Sequence, residues 1–326
     1  MGIKREDLLT VLFRHSITII VGAFCVIAMI IVPNFFSTTN IKNIIVQSSE
    51  LFVVAAGMTF VVLNGGVDFS TTGVIAFASV IGGSIMSQDP DCGLMVGNQF
   101  SVVYAILAMI LIGLVVGTFN GLVVVSFKMP SFIVTMAMQI ILSGLALWYT
   151  KGVTIGLLPK VFTRFGTKTF LKVIPYCTLL MVVVFIVCHI LLSKTKFGRY
   201  VYAVGINQNA ALISGVPIKK TIIRMFMISG ICSGLSSIIV TARMASAASS
   251  YGSSMFLDIM TSIIIGGTNP AGGFGTIVGT LVGVFFVVIL RTSLNLMGVN
   301  YYIISIIKGC VIILVACFDW LSSKKR

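Results

Sequence analysis

Residues 102–127 read VVYAILAMILIGLVVGTFNGLVVVSF, 26 positions without an Asp, Glu, Lys or Arg. As a helix this run rises about 39 Å, more than the roughly 30 Å hydrocarbon core of a bilayer. A helix that is apolar on every face has no side to turn to water, so it belongs in lipid or in a large protein core. Working outward, the same character recurs at 16–32, 44–63, 71–87, 131–150, 173–192, 221–242, 256–266, 274–290 and 301–320. The pattern predicts an all-α polytopic membrane protein with about 10 transmembrane helices in one domain, 1–326. The run 16–32 is long for a signal-peptide core and is followed by Pro33–Asn34 rather than a small-residue cleavage pattern, so it reads as a retained first span.

Composition agrees. Of 326 residues, 58% are hydrophobic and 9% charged, against about 25% charged in a soluble domain, and the mean hydropathy is +1.13. A soluble enzyme and a disordered chain are both excluded, because neither keeps so much apolar surface in water. Lys and Arg number 22 and Asp and Glu 8, a net charge of +14. The basic residues cluster between apolar runs, at Lys4–Arg5, Lys194–Lys196–Arg199, Lys219–Lys220–Arg224 and Lys324–Lys325–Arg326. They act as membrane-orienting charges. No basic face is interleaved with exposed aromatics, so nucleic acid is not a partner. With the N-terminus inside, 13 Lys/Arg fall on cytoplasmic connections, 8 on outer ones and Lys308 within the last span, 22 in all. The balance puts both termini in the cytoplasm, although the outer loop 151–172 is itself basic.

The run 256–266 is too short to cross alone and ends in Gly266–Gly267–Thr268–Asn269–Pro270, which breaks a helix. It reads as a half-span whose backbone is buried in protein or lines a cavity. Asn64–Gly65–Gly66 through Gly73 is echoed by Ile265–Gly266–Gly267 through Gly273, and stripes at Gly113, Gly117, Gly121 and at Gly275, Gly279, Gly283 follow. The echo suggests a 5+5 inverted repeat. Close helix packing explains the stripes equally well without a repeat.

Catalysis is not expected. His15 and His189 sit near membrane boundaries with no acid and nucleophile at motif spacing, and the carboxylates are too scattered for a metal site. No Gly-Lys dipeptide occurs, so there is no phosphate-binding loop of the GxxxxGK[ST] type. The expected cofactor list is empty. Of the cysteines, all but Cys92 lie in apolar stretches and read as small packed hydrophobes. Glu50, Asp68 and Asp258 stand out because charge at membrane depth persists only where it pairs, caps a helix or faces a cavity. Asp68, directly before the third span, is either an N-cap or a pathway residue, or both. Asn64, Asp68, Ser70, Asn120, Thr135, Gln139 and Asn269 are the expected pathway lining. Within the polar segment 193–220, Asn207 can cap a short helix that Gly215 and Pro217 end. That helix would expose Ala210, Ala211 and Ser214, small side chains suited to tight docking.

Four segments resemble the permease subunits of ATP-binding-cassette importers for monosaccharides, the ribose-type branch: GGVDFSTTG at 65–73, MPSFIVT at 129–135, GRYVYAVGINQNAALISG at 198–215 and LDIMTSIIIGGTNPAGGFG at 257–275. Phe69, Thr71 and Thr72 depart from the family's usual pattern there. The resemblance implies a non-catalytic permease subunit in the bacterial cell membrane, with a second permease subunit forming the pathway. A separate ATP-binding subunit would grip the coupling helix through Gly205, Asn207, Ala210, Ala211 and Gly215. An extracytoplasmic solute-binding protein would deliver the sugar, with 151–172 as one contact. Relatives that carry autoinducer-2 or nucleosides make those solutes an alternative cargo. An ion-coupled secondary transporter using Asp68, Glu50 or Lys308 as a relay is the alternative from another class.

Overall fold

The structure is a computed structural model that describes residues 32, 34–170, 174–300 and 302–310. The expected first span, apart from residue 32, lies outside the described residues, as does the second half of the expected last span. The helices are α1 (Thr38–Val62), α2 (Ser70–Met86), α3 (Ser101–Phe127), α4 (Ser131–Thr150), α5 (Lys160–Thr167), α6 (Tyr176–Lys194), α7 (Lys196–Ile206), α8 (Gln208–Ile213), α9 (Ile218–Met244), α10 (Met255–Ile265) and α11 (Ile277–Leu296). Residues 302–310 are helical as well. The two-residue strands β1 (Thr169–Phe170) and β2 (Ile174–Pro175) pair antiparallel.

Six of these helices, α1, α3, α4, α6, α9 and α11, are long and apolar enough to cross a membrane, while α2 and α10 are shorter apolar helices. Boundaries differ from the hydropathy reading where polar residues extend a helix. Ser37 accepts the Asn40 N–H at 3.3 Å and starts α1 six residues before the apolar run. Lys219 and Lys220 lie in the first turn of α9, ahead of the apolar run that begins at 221. Thr276 caps α11 by accepting the Gly279 N–H at 3.0 Å, after the loop 266–276.

The centre of the bundle is α1 and α9, whose apolar stretches are 83% and 78% buried, against 28%, 22% and 28% for α3, α4 and α6. The latter three therefore form the apolar exterior, with Leu111, Val115, Ile140 and Val183 exposed. The glycine stripes are where helices meet. Gly113 and Gly117 of α3 lie against Gly230 and Phe226 of α9, and Gly279 and Gly283 of α11 lie against Gly266 and Ser262. A methyl group at any of these glycines would overlap the facing backbone. Dispersion contacts between close backbones supply helix attraction where lipid removes the hydrophobic drive. Hydroxyl pairs add to it: Thr59 of α1 with Thr280 of α11 at 2.9 Å, and Ser79 of α2 with Thr241 of α9 at 2.7 Å.

The connections gather at two ends. At one, Gly273 N–H donates to the Leu63 carbonyl at 2.9 Å, the Val67 N–H to Ser131 Oγ at 3.1 Å and the Tyr202 hydroxyl to the Gly275 carbonyl at 2.7 Å. At the other, Gln88 N–H donates to the Leu157 carbonyl at 3.0 Å, and Ile155 and Ala247 exchange two backbone bonds of 2.8 Å.

Candidate functional site

Between α1 and α2 the chain runs without helix through residues 66–69, sunk among α3, α4 and α9. Asp68 is fully buried there. Its Oδ1 accepts from the Ser70 N–H at 3.1 Å and the Ser70 hydroxyl at 2.6 Å, and its Oδ2 from the Ser229 hydroxyl at 2.7 Å. Asn120 Nδ2 donates to Ser70 Oγ at 2.8 Å. Thr135 Oγ1 accepts from the Phe69 N–H at 3.1 Å. The expected capping role is thus realised one residue off: Phe69 occupies the cap position of α2, and Asp68 satisfies the first helical N–H from behind it. The positive end of the α2 dipole and three donors stabilise the carboxylate. No basic side chain among the described residues forms an ion pair with it.

Of the seven expected pathway residues, the structure brings together Asp68, Ser70, Asn120 and Thr135. Ser229 and Ser131 belong to the same cluster and were not singled out from the sequence. Nothing local marks them, because Ser229 is 161 positions from Asp68. The Asn120 Oδ1 is buried without a hydrogen-bond partner. Asn64 lies at the end of α1 with its Oδ1 likewise unpartnered. Gln139 is half-buried on α4, its backbone beside Gly73. Asn269 serves its own turn, accepting the Ala271 N–H at 2.9 Å.

The segment 195–217 packs over the same end of the bundle. Thr195 caps α7, accepting the Gly198 N–H at 3.2 Å, and Asn207 caps α8, accepting the Ala210 N–H at 3.0 Å. Gly215 has φ +77°, the left-handed conformation that ends the segment before Pro217. Ala210 and Ser214 are exposed as expected, but Ala211 is buried in the main core with Val216, so the expected exposure of Ala211 is corrected. Ala211 thus serves inward packing, and large apolar side chains join Ala210 and Ser214 on the outside: Ile206, Leu212 and Ile213, the last 89% exposed. Gly205 lies directly on the Leu63 carbonyl and the Gly273 N–H, with no room for a side chain. Three segments, α7, the end of α1 and the α10–α11 loop, therefore meet backbone to backbone.

The other two carboxylates are paired. Glu50 of α1 meets Arg243 of α9 at 3.0 Å, and Asp258 of α10 meets Lys308 at 2.6 Å and Arg291 of α11 at 3.6 Å. Glu50, Asp258 and Arg291 line a cleft with Gln47, Leu51 and Met255, toward the end opposite Gly205. Cys177, Cys188 and Cys232 are buried, free thiols packed between helices. Among the described residues no group of His, Cys, Asp and Glu could hold a metal ion.

Residues 40–316 match the family described as "Branched-chain amino acid transport system / permease component". Among curated proteins, the ribose import permease protein RbsC of Bacillus subtilis (strain 168) is 38% identical over 298 residues, 90% of this chain and 88% of that one. The galactose/methyl galactoside import permease protein MglC of Haemophilus influenzae is 31% identical over 303 residues, 90% of each chain. The L-arabinose ABC transporter permease protein AraH of Azospirillum brasilense is 30% identical over 295 residues, 90% of this chain and 84% of that one. No solved structure matches. With 40–316 matched and the buried turn at 65–73 and the capped segment at 198–215 in place, the chain belongs to this permease family, in its monosaccharide-importer branch.

Proposed function

We propose that this chain is the membrane-spanning permease subunit of an ATP-driven importer for a monosaccharide such as ribose, galactose or arabinose. It performs no covalent chemistry; a separate subunit hydrolyses ATP. Two permease subunits form the pathway, an extracytoplasmic binding protein supplies the sugar, and both termini lie in the cytoplasm of a bacterial cell. Ten crossings in two inverted halves of five complete this picture.

The observation that carries the reading is the short helix α8, capped by Asn207 and closed by Gly215, with Leu212 and Ile213 standing out from the bundle end. A large apolar side chain that exposed, on a fixed backbone, suits insertion into a groove of a partner protein. Its movement has a route inward. Gly205 bears on the end of α1 and on the α10–α11 loop, and α1 leads straight into the buried turn around Asp68. Closure of the ATP-binding partners would shift α7 and α8, and the rigid backbone contacts would pass that shift to the turn, switching the pathway between its two open states. Asn64, Asp68, Ser70, Asn120, Thr135, Gln139 and Asn269 are the proposed lining, and Gly205, Asn207, Ala210, Ala211 and Gly215 the proposed coupling set, to which the exposed Leu212 and Ile213 are added.

The ion-coupled reading needs a carboxylate free to exchange its cation. Asp68 is engaged by three donors, and Glu50 and Asp258 by basic partners. The test is sugar uptake into proteoliposomes holding the complex with its ATPase. Ile213→Arg, on an exposed position, is expected to lower ATP-dependent uptake at least tenfold with the permease still folded. Uptake driven by a sodium or proton gradient through this chain alone would overturn the proposal.

A further inference from the structure

α10 and α11 lie side by side but are joined unevenly. Over Ser262–Gly266 and Gly279–Gly283 the two backbones touch, with no room for a Cβ at Gly266, Gly279 or Gly283. Toward the end opposite Gly205 the helices part, and Val288 and Arg291 of α11 share a cleft with Asp258 of α10 and Glu50 of α1. Ion pairs hold the parted ends together there: Asp258 meets Lys308 at 2.6 Å and Arg291 at 3.6 Å. At the glycine seam no side chains interlock, so α10 can pivot on α11 once the Asp258 pairs let go.

A static core does not need these charges. A buried ion pair is often replaced by apolar side chains of similar size without loss of stability. What an ion pair does better is separate into water, because its attraction falls as the dielectric rises and each freed charge is hydrated. An apolar contact opened to the same water would lose its whole burial. Asp258 therefore suits a contact that alternates between a dry and a wet state. The neighbouring Glu50–Arg243 pair, at 3.0 Å, joins α1 to α9, the two most buried spans, and belongs to the fixed frame.

α10 is also connected to the other end of the bundle. Its C-terminal loop, 266–276, meets α7, where Gly205 lies on the Gly273 N–H and the Tyr202 hydroxyl donates to the Gly275 carbonyl at 2.7 Å. Two positions before Asp258, and so about 200° around the helix, Phe256 stacks on Phe69, with ring centroids 4.0 Å apart and planes at 16°. Phe69 is the neighbour of Asp68 in the buried turn. A tilt of α10 about the glycine seam would part Asp258 from its cations, slide Phe256 off Phe69 and open a way from the cleft to the turn. We propose that α10 is the outer gate of the pathway and Asp258 its positioning residue: the pairs with Lys308 and Arg291 latch the gate shut, and movement of α7 releases it. The inference rests on the proposed importer function and adds the moving element and its latch.

Val288, buried in the cleft, is the reporter. Val288→Cys, in a Cys92→Ser background, is labelled with an impermeant maleimide in the permease–ATPase complex in nanodiscs, nucleotide-free and vanadate-trapped. Sugar uptake per ATP hydrolysed, with the organism's own binding protein, is measured in proteoliposomes alongside. With the latch intact the two states are expected to differ at least tenfold in labelling rate. Asp258→Asn/Arg291→Gln/Lys308→Met is expected to label at the faster rate in both states and to take up at least fivefold less sugar per ATP. Arg291→Gln alone changes the most exposed of the three charges, with little risk to folding, and is expected to raise the slower rate at least threefold. Glu50→Gln/Arg243→Gln, in the fixed frame, is expected to lower the unfolding midpoint yet keep the tenfold difference and the uptake per ATP. If the unaltered complex transports but labels equally in both states, if the latch variants keep the full difference, or if the Glu50/Arg243 variant loses it as they do, the gate assignment is wrong and the importer function stands. If the unaltered complex shows no ATP-dependent uptake, the importer reading falls and the gate with it.

Discussion

Asp68 shows what one residue does in this molecule. Its carboxylate closes three hydrogen bonds from two helices, Ser70 of α2 and Ser229 of α9, at a depth where water is not an alternative partner. Asp68→Ala would leave the Ser229 hydroxyl and the Ser70 N–H without their acceptor, and each orphaned donor costs about 1–3 kcal/mol. The expected loss is about 3–5 kcal/mol, read as a lower unfolding midpoint of the purified protein, with Ser229→Ala losing about 1–2 kcal/mol of the same total. Equal stability of Asp68→Ala and the unaltered protein would show that the cluster holds nothing together. That an acid lies at this turn is legible in GGVDFSTTG; that Ser229 completes it is not, because the contact depends on the rotation and depth of a helix far along the chain.

Helices are the next scale, and two kinds of contact tie them. Glycine seams set how closely α3 meets α9 and α10 meets α11. Gly230→Leu would force a side chain into the facing backbone of α3, where overpacking costs about 1–3 kcal/mol or more; reduced recovery of folded protein from detergent is expected, while Gly144→Leu, on the open face of α4, should be neutral. Ion pairs are the second tie. Asp258, at the start of the short apolar run, and Lys308, within the expected last span, lie 50 positions apart in the chain, yet they meet at 2.6 Å with both side chains nearly buried. Removing Lys308 would leave the buried Asp258 to the more distant, more exposed Arg291; weakening a buried pair in this way costs up to about 3–5 kcal/mol, whereas removing all of its charges together is milder. Lys308→Met is therefore expected to be more destabilising than the triple change Asp258→Asn/Arg291→Gln/Lys308→Met, a comparison that thermal unfolding makes directly. Their pairing also explains how the short α10 keeps an acid: it stands in the first turn, at the positive end of the helix dipole.

For the whole molecule, the central question is which end faces out. The two ends are distinct in chemistry: one carries the capped, apolar-tipped α8, the other the basic α5 and the 87–100 loop. Cys92 lies in that loop, beside Ser87, and partial burial pushes its thiol above the usual range. A raised thiol pKa leaves less thiolate at neutral pH, so maleimide labelling should be slow near pH 7 and quicken steeply above pH 9. Impermeant maleimide added to intact cells is expected to label the unaltered protein and not Cys92→Ser. Labelling only after the cells are opened would invert the topology and remove the basis for both the docking and the outer-gate assignments.

Sequence alone determined that this chain lives in a membrane, roughly where its helices run, and where Asn207 and Gly215 punctuate them. Those properties are sums over neighbouring residues: hydropathy along twenty positions, a cap three positions from its donor, a left-handed glycine at a helix end. Only the tertiary structure decided that Ala211 turns inward while Ile213 turns out, that Gly205 rests on Leu63, that Ser229 serves Asp68 and that Lys308 neutralises Asp258. Such choices depend on how helices rotate and slide against one another, and that register is set by packing between segments far apart in the chain, which no local pattern records.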